Sequence, residues 1–213
     1  YGTRRYRQSE NAQPKGLSHL YEILMNFIRN DIVIPNIGES QGRFWTPLIT
    51  TYFLFILTCN FLGLIPFFEL IPGGSSTVTG NFNTTAGLAS ITFFAIIMAG
   101  SMKHGFLGYW KNMIPSGVPG PVLLILIPIE ILGMFVRPFA LTMRLGANMT
   151  AGHIGMLAIF ALPIILTAAP VGIVSILLNT GIYFLEIIVS FVQAYVFTLL
   201  SSVFIGMAIH IEH

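Results

Sequence analysis

An apolar tract from Pro121 to about Leu166 carries four polar side chains at helical spacing. They are Glu130, Arg137, Arg144 and Asn148. Separations of seven, seven and four residues put them on one face of an α-helix. An ionisable group in hydrocarbon costs about 2.5 to 3.5 kcal/mol, so charges within such tracts are usually functional. This face is therefore a candidate functional site.

Small residues run beside this charged face. They repeat the same separations three positions further on, about 60° around the helix. They are Gly133, Ala140, Ala147 and Ala151. This small-residue strip lets another helix approach closely. Static helix packing would also explain the strip, although it does not explain the charges beside it.

A second apolar tract, from Val171 to Ile209, carries its own polar stripe. Its members are Ser175, Asn179, Glu186, Ser190 and Gln193. Separations of four, seven, four and three residues again define one face. A carboxylate flanked by amides and hydroxyls is typical of a hydrated proton or cation path, and hydrogen bonding between helices is the alternative. That alternative suits Asn179 and Ser175 equally well, but it suits Glu186 poorly.

His153 lies nine residues from Arg144, about half a revolution around a helix, so it faces away from the arginine. It can meet Glu186 on the neighbouring helix. A histidine beside an acid titrates in a useful pH range, whereas a guanidinium does not deprotonate. The expected roles are Arg144 as a fixed positive charge and His153 with Glu186 as proton exchangers. A merely hydrogen-bonded helix histidine is the alternative.

The composition indicates an integral membrane protein. The chain has 213 residues, of which 54% are hydrophobic and only 8% charged, against about 25% charged in soluble domains. A net charge of +2 gives no reason to expect a nucleic-acid partner. The single Cys59 permits no intrachain disulfide and has no metal-ligand spacing around it. No nucleophile set supports covalent catalysis, and we expect neither a metal nor a cofactor.

These patterns predict an all-α fold with four segments. The first joins a polar arm to an interfacial amphipathic helix that begins at Leu17. The second is a transmembrane helical hairpin with spans Phe44–Phe68 and Ala86–Met102. An inside linker and two long, strongly tilted helices follow. The segments are residues 1–43, 44–102, 103–120 and 121–213.

Length explains why the last two helices should tilt. Forty-six residues of helix measure about 69 Å, more than twice a hydrocarbon core of about 30 Å. The first tract must therefore lie obliquely or turn back invisibly. Residues 1–43 hold six Lys and Arg, whereas residues 69–85 hold none, so the hairpin loop is predicted to lie outside. Because the chain starts at Tyr1, a preceding segment is expected.

Three blocks resemble subunit a of the rotary F-type ATP synthase. They are Met143–His153, Phe184–Leu200 and Asn60–Pro66, and the likeness runs from about Pro14 to the C-terminus. In that family one further transmembrane helix precedes the amphipathic segment. The resemblance implies a stator beside a ring of c subunits that carry membrane-embedded carboxylates. Protons would cross through two offset half-channels, and this offset would drive rotation.

The resemblance also assigns roles. Arg144 matches the essential arginine, which attracts a deprotonated ring carboxylate and blocks a direct proton leak. Asn148 and Gln193 match polar residues near it. His153 and Glu186 occupy two positions that carry the acid first and the histidine second in some bacterial members, so the pair is swapped.

Three further positions also have counterparts in that family. Glu130 matches the acid of the inner half-channel, and Arg137 matches a basic residue below the essential arginine. Asn81 stands where Asp is common, and an amide cannot relay protons as Asp could. Asn179 and Ser190 complete the predicted proton path.

The expected partners are the c-subunit ring, peripheral-stalk b subunits, other ATP synthase subunits and membrane lipid. The protein would not hydrolyse ATP on its own. A bacterial inner membrane is the favoured location, with the mitochondrial inner membrane as the alternative. A secondary ion transporter and a purely structural membrane subunit are the competing functions, although the chain shows no internal repeat that would favour a transporter.

Overall fold

A computed structural model describes residues 17–64, 80–112, 120–166 and 169–210, and all of its regular structure is helical. Four of its helices are long and apolar enough to cross a membrane. We number the α-helices in chain order and call the one π-helical segment π1. They are α1 (Leu17–Phe27), π1 (Ile28–Val33), α2 (Ile34–Ile37), α3 (Glu39–Leu64), α4 (Phe82–His104), α5 (Phe106–Asn112), α6 (Gly120–Leu166) and α7 (Ala169–Ile209).

The predicted amphipathic segment is helical but not uniform. Helix α1 leaves apolar surface open, since Leu20 is 66% exposed, as suits a helix lying in a membrane interface. The chain then widens into π1, whose Ile28, Ile32 and Val33 are buried. The α-helical period did not predict this wider turn, which depends on packing against distant helices.

The two predicted spans are longer at their N-terminal ends than the sequence indicated. Helix α3 begins at Glu39 rather than Phe44, directly after Gly38 with φ of 90°. The end predicted at Phe68 lies outside the described residues. Helix α4 begins at Phe82 rather than Ala86, because the Asn81 side chain caps it by accepting a hydrogen bond from the Asn83 N–H at 3.0 Å.

Both long helices are continuous, so the possibility that the first tract turns back is wrong. Helix α6 has 47 residues and α7 has 41. Pro128, Pro138 and Pro163 lie within α6 without ending it. A helix of about 70 Å fits a hydrocarbon core of about 30 Å only at a steep tilt.

Helix α7 is the central packing element. It contacts α3, α4 and α6, and Tyr52 meets Phe197 edge to face with ring centres 5.6 Å apart. Its C-terminal end is tied to its neighbours, since Ser202 donates to the Ile32 carbonyl at 3.1 Å. A Cβ at Gly206 would collide with the Asn36 carbonyl, so only glycine permits this close approach.

Candidate functional site

Helix α6 presents a packed face and a bulky exposed face. The packed face turns toward α4 and α7. Its buried hydrophobic side chains are Met134, Leu141, Leu145 and Met149. The bulky face carries large exposed side chains, among them Leu132, Phe139, Met143 and Leu157. These two faces account for most of the apolar surface of the helix.

Arg144 lies on a third face of α6. Beside it are Asn148 and the small residues Ala140, Ala147 and Ala151, all exposed. At about 100° per residue, Arg144 is roughly 100° from the middle of the packed face and roughly 120° from the bulky one. The arginine therefore points into neither the protein interior nor the bulkiest apolar surface.

No acid of the described side chains neutralises Arg144. Its guanidinium forms no salt bridge and no hydrogen bond within that part of the chain. A guanidinium stays protonated in proteins, so it presents a fixed, open positive charge on a smooth surface. This arrangement suits an anionic group that belongs to another molecule.

Arg137 behaves differently from Arg144 although the two share a helix face by spacing. Its guanidinium carbon lies 5.5 Å from the centre of the Phe204 ring on α7, a cation–π contact. Arg137 is half-buried as a result. Glu130 is the acid of the same predicted stripe, and its side chain is not among those that the structure describes.

Glu186 and His153 are brought together across the interface of α6 and α7. The carboxylate is 6% exposed and interacts electrostatically with His153. It sits over Gly152, where a Cβ would overlap its Oε1 atom and lie 2.7 Å from its Cδ. Gly152 thus forms a notch that admits the carboxylate, a role that sequence spacing did not indicate.

The polar stripe of α7 faces the protein interior. Ser175, Glu186, Ser190 and Gln193 are buried, and Asn179 is half-buried. Several polar atoms of this column have no hydrogen-bond partner among the described residues. They are Asn179 Oδ1, Glu186 Oε2 and Ser190 Oγ. An unsatisfied buried polar atom costs about 1 to 3 kcal/mol, and bound water removes that penalty.

Asn60 belongs to the same column, although its sequence context suggested only helix packing. Its Nδ2 donates to the Ser190 carbonyl at 3.2 Å, while its Oδ1 has no partner in the described residues. Asn60 is fully buried. One feature of the sequence could have indicated this role, because Asn60 is an amide within a largely apolar part of α3.

A cavity of about 380 Å³ leads toward this column. Its polar lining includes His153, Asn179 and Tyr183, and its apolar lining includes Met156 and Phe160. The Tyr183 hydroxyl donates to the Leu64 carbonyl at 3.2 Å, which closes one side against the end of α3. The cavity is large enough for several water molecules.

Asn81 has a visible structural role, since it caps α4. It is exposed. The next residue, Phe82, packs so closely on α6 that a Cβ at Gly146 would lie 2.9 Å from its ring. The cap therefore begins α4 beside the segment that carries Arg144.

Comparison with known proteins identifies the family of this chain. A family model described as ATP synthase A chain matches residues 2–206. ATP synthase subunit a of Chloroherpeton thalassium is 42% identical over 214 residues, covering 100% of this chain and 61% of the relative. ATP synthase subunit a 2 of Chlorobaculum tepidum is 45% identical over 203 residues, covering 95% of this chain and 55% of the relative.

A third relative, ATP synthase subunit a of Anaeromyxobacter dehalogenans, is 43% identical over 202 residues, covering 93% of this chain and 50% of the relative. The chain thus spans about half to three-fifths of the length of these bacterial relatives. The resemblance found in the sequence is confirmed over almost the whole chain. The chain belongs to the ATP synthase A chain family.

Proposed function

We propose that this protein is the stator subunit beside the c-subunit ring of a rotary ATP synthase and couples proton flow to ring rotation. One observation carries the proposal. Arg144 stands exposed on a strip of small residues and is not neutralised within the described side chains. Such a surface lets ring helices pass closely while their carboxylates meet a fixed positive charge.

The strength of that attraction follows from charge pairing. At about 4 Å and an effective dielectric constant of about 20, a carboxylate and a guanidinium attract by about 4 kcal/mol. This is enough to favour the deprotonated ring carboxylate as it passes. Because Arg144 has no acid of its own in the described side chains, the attraction is available to each ring carboxylate in turn.

The buried column supplies the outer half-channel of this proposal. Protons would enter through the cavity beside His153 and Asn179. They would exchange with Glu186 and continue past Ser190 toward the ring. The open hydrogen-bonding positions along this route support hydration, and the histidine and acid supply groups that accept and release protons.

Arg144 would also prevent a direct proton leak. A fixed positive charge between the two half-channels repels a hydrated proton that attempts to cross without the ring. Asn148 and Gln193 would lie near this barrier as polar neighbours. For the inner half-channel we propose Glu130 and Arg137, of which Arg137 is anchored on Phe204.

The protein would work only within an assembly of several subunits. The expected partners are the c-subunit ring, peripheral-stalk b subunits and the other ATP synthase subunits, with ATP hydrolysis carried out by those other subunits. The bacterial origin of the relatives supports a bacterial inner membrane.

Arg144→Ala tests the proposal. In assembled complexes this change should abolish ATP-driven proton pumping into inverted membrane vesicles, because no other exposed side chain among those described on α6 carries a fixed charge. Lys103→Gln is the control, since it also removes a positive charge, but one that is exposed at the end of α4 and outside the proposed proton path, and pumping should persist. Normal pumping by assembled Arg144→Ala complexes would instead favour a purely structural role.

A further inference from the structure

A polar cavity of about 330 Å³ lies at the beginning of α3, toward the opposite end of that helix from Asn60 of the buried column. Its lining residues are Glu39, Ser40 and Arg43. Glu39 and Arg43 are exposed, oppositely charged and one helical turn apart, a spacing at which such residues commonly pair. Neither forms a salt bridge with a described residue. Both charged side chains therefore line one cavity without an ion-pair partner among the described residues.

The cavity lies where several helix ends gather. His210 Nε2 donates to the Ile37 carbonyl at 3.0 Å, and His104 Nε2 donates to the Ile209 carbonyl at 3.1 Å. These bonds bring the ends of α4 and α7 to the level where α3 begins. Phe44, next to Arg43, is 59% exposed and opens the apolar part of the span. With α3 spanning a membrane, the cavity would lie at the boundary between lipid headgroups and hydrocarbon.

The order of the charges along α3 matches the order of charges in a lipid. The helix runs from this boundary into the membrane, so Arg43 lies about 6 Å deeper than Glu39. In a phospholipid the phosphate lies next to the glycerol and acyl chains, and the amine lies further toward water. Arg43 therefore lies at the level of a phosphate and Glu39 at the level of an ammonium group.

We propose that Glu39, Ser40 and Arg43 bind the headgroup of a phospholipid that carries a primary amine, such as phosphatidylethanolamine. The guanidinium of Arg43 would bind the phosphate, which it can do with two parallel hydrogen bonds. The Ser40 hydroxyl would donate to a phosphate oxygen. The Glu39 carboxylate would accept hydrogen bonds from the ammonium, and the exposed ring of Phe44 would contact an acyl chain.

This chemistry predicts a lipid preference. A primary ammonium offers three N–H donors to a carboxylate, whereas the quaternary ammonium of phosphatidylcholine offers none. Phosphatidylglycerol supplies the phosphate but no positive charge for Glu39. The expected order of binding is phosphatidylethanolamine, then phosphatidylcholine, then phosphatidylglycerol.

Photolabelling of the purified, assembled complex in lipid nanodiscs tests the proposal. Photoreactive analogues of the three lipids are compared, and the labelled peptides are identified by mass spectrometry. The phosphatidylethanolamine analogue should label the peptide that contains residues 39–44. Glu39→Gln should reduce its advantage over the choline analogue by about threefold, as expected for an exposed charge interaction.

Variants and a matched control make the outcome decisive. Arg43→Gln should lower labelling by both zwitterionic analogues. Lys103→Gln removes another exposed positive charge from the same end of the helices and should leave labelling unchanged. The proposal is overturned if the Lys103 and Arg43 variants behave alike, if phosphatidylglycerol labels the peptide as strongly, or if cross-linking places another protein subunit on residues 39–43. Should Arg43→Gln fail to assemble, the selectivity change in Glu39→Gln decides.

Discussion

Adding one methyl group at Gly152 should disable the proton path without disturbing the fold. In Gly152→Ala the new Cβ would overlap Glu186 Oε1 and lie 2.7 Å from Cδ. Carbon atoms in contact are about 3.5 to 4.0 Å apart, so the carboxylate must retreat by about 1 Å. Overpacking of this kind costs about 1 to 3 kcal/mol, which a folded membrane complex can tolerate.

The functional loss should be larger than the loss of stability. Proton transfer needs heavy atoms within about 2.6 to 3.2 Å, directly or through one water, and misplacement by about 1 Å can cost about 100-fold in rate. We therefore expect proton flux through assembled Gly152→Ala complexes to fall by about 10-fold to 100-fold. The assay is dye-reported proton uptake in vesicles that contain equal amounts of complex.

Two controls test the physical reason. Gly87→Ala makes the same change at an exposed position of α4 where a Cβ meets nothing within 4 Å, so its flux should stay normal. In a Glu186→Gln background, Gly152→Ala should add little further loss, because two changes acting through one group are not additive. Normal flux in assembled Gly152→Ala, or an equal loss in Gly87→Ala, would refute the claim that proton transfer by Glu186 depends on the space at Gly152.

Three further changes probe the other parts of the site. Arg144→Lys should lose most ATP-driven pumping, because a compact ammonium is more strongly hydrated and lacks the planar fork of donors; retention of coupling would contradict this. Glu186→Gln should slow passive proton flow while leaving assembly intact. If proton flow through the variant equals that of the unmodified protein at every pH from 6 to 9, Glu186 is not a proton exchanger. Asn60→Leu should lower the proton flux per complex without changing the amount of assembled complex. Reduced assembly with normal flux per complex would instead show that Asn60 serves only helix packing.

Helical periodicity was enough to predict the long helices and their polar faces. The spacing of Arg144 and Asn148 along α6, and of Glu186 and Gln193 along α7, depends only on 3.6 residues per turn. The absence of loop residues between Pro121 and Leu166 favoured one long helix, which the structure confirms. The meeting of His153 with Glu186 also followed from helix geometry.

Features that depend on contact between distant segments were not predicted. The π-helical turn is held where Ser202 bonds to the Ile32 carbonyl, a pairing invisible to local spacing. The seven-residue spacing places Arg137 on the same helix face as Arg144. The long side chain of Arg137 nevertheless reaches the Phe204 ring on α7. The membership of Asn60 in the buried column likewise depends on which helix lies opposite it.

A density map of the assembled complex at side-chain resolution would show directly what Arg144 faces. We predict that its guanidinium faces the ring, with a ring carboxylate able to come within about 4 Å as the ring turns. A map that shows this guanidinium against lipid, or bonded to an acid of its own chain, would contradict the proposed role of Arg144.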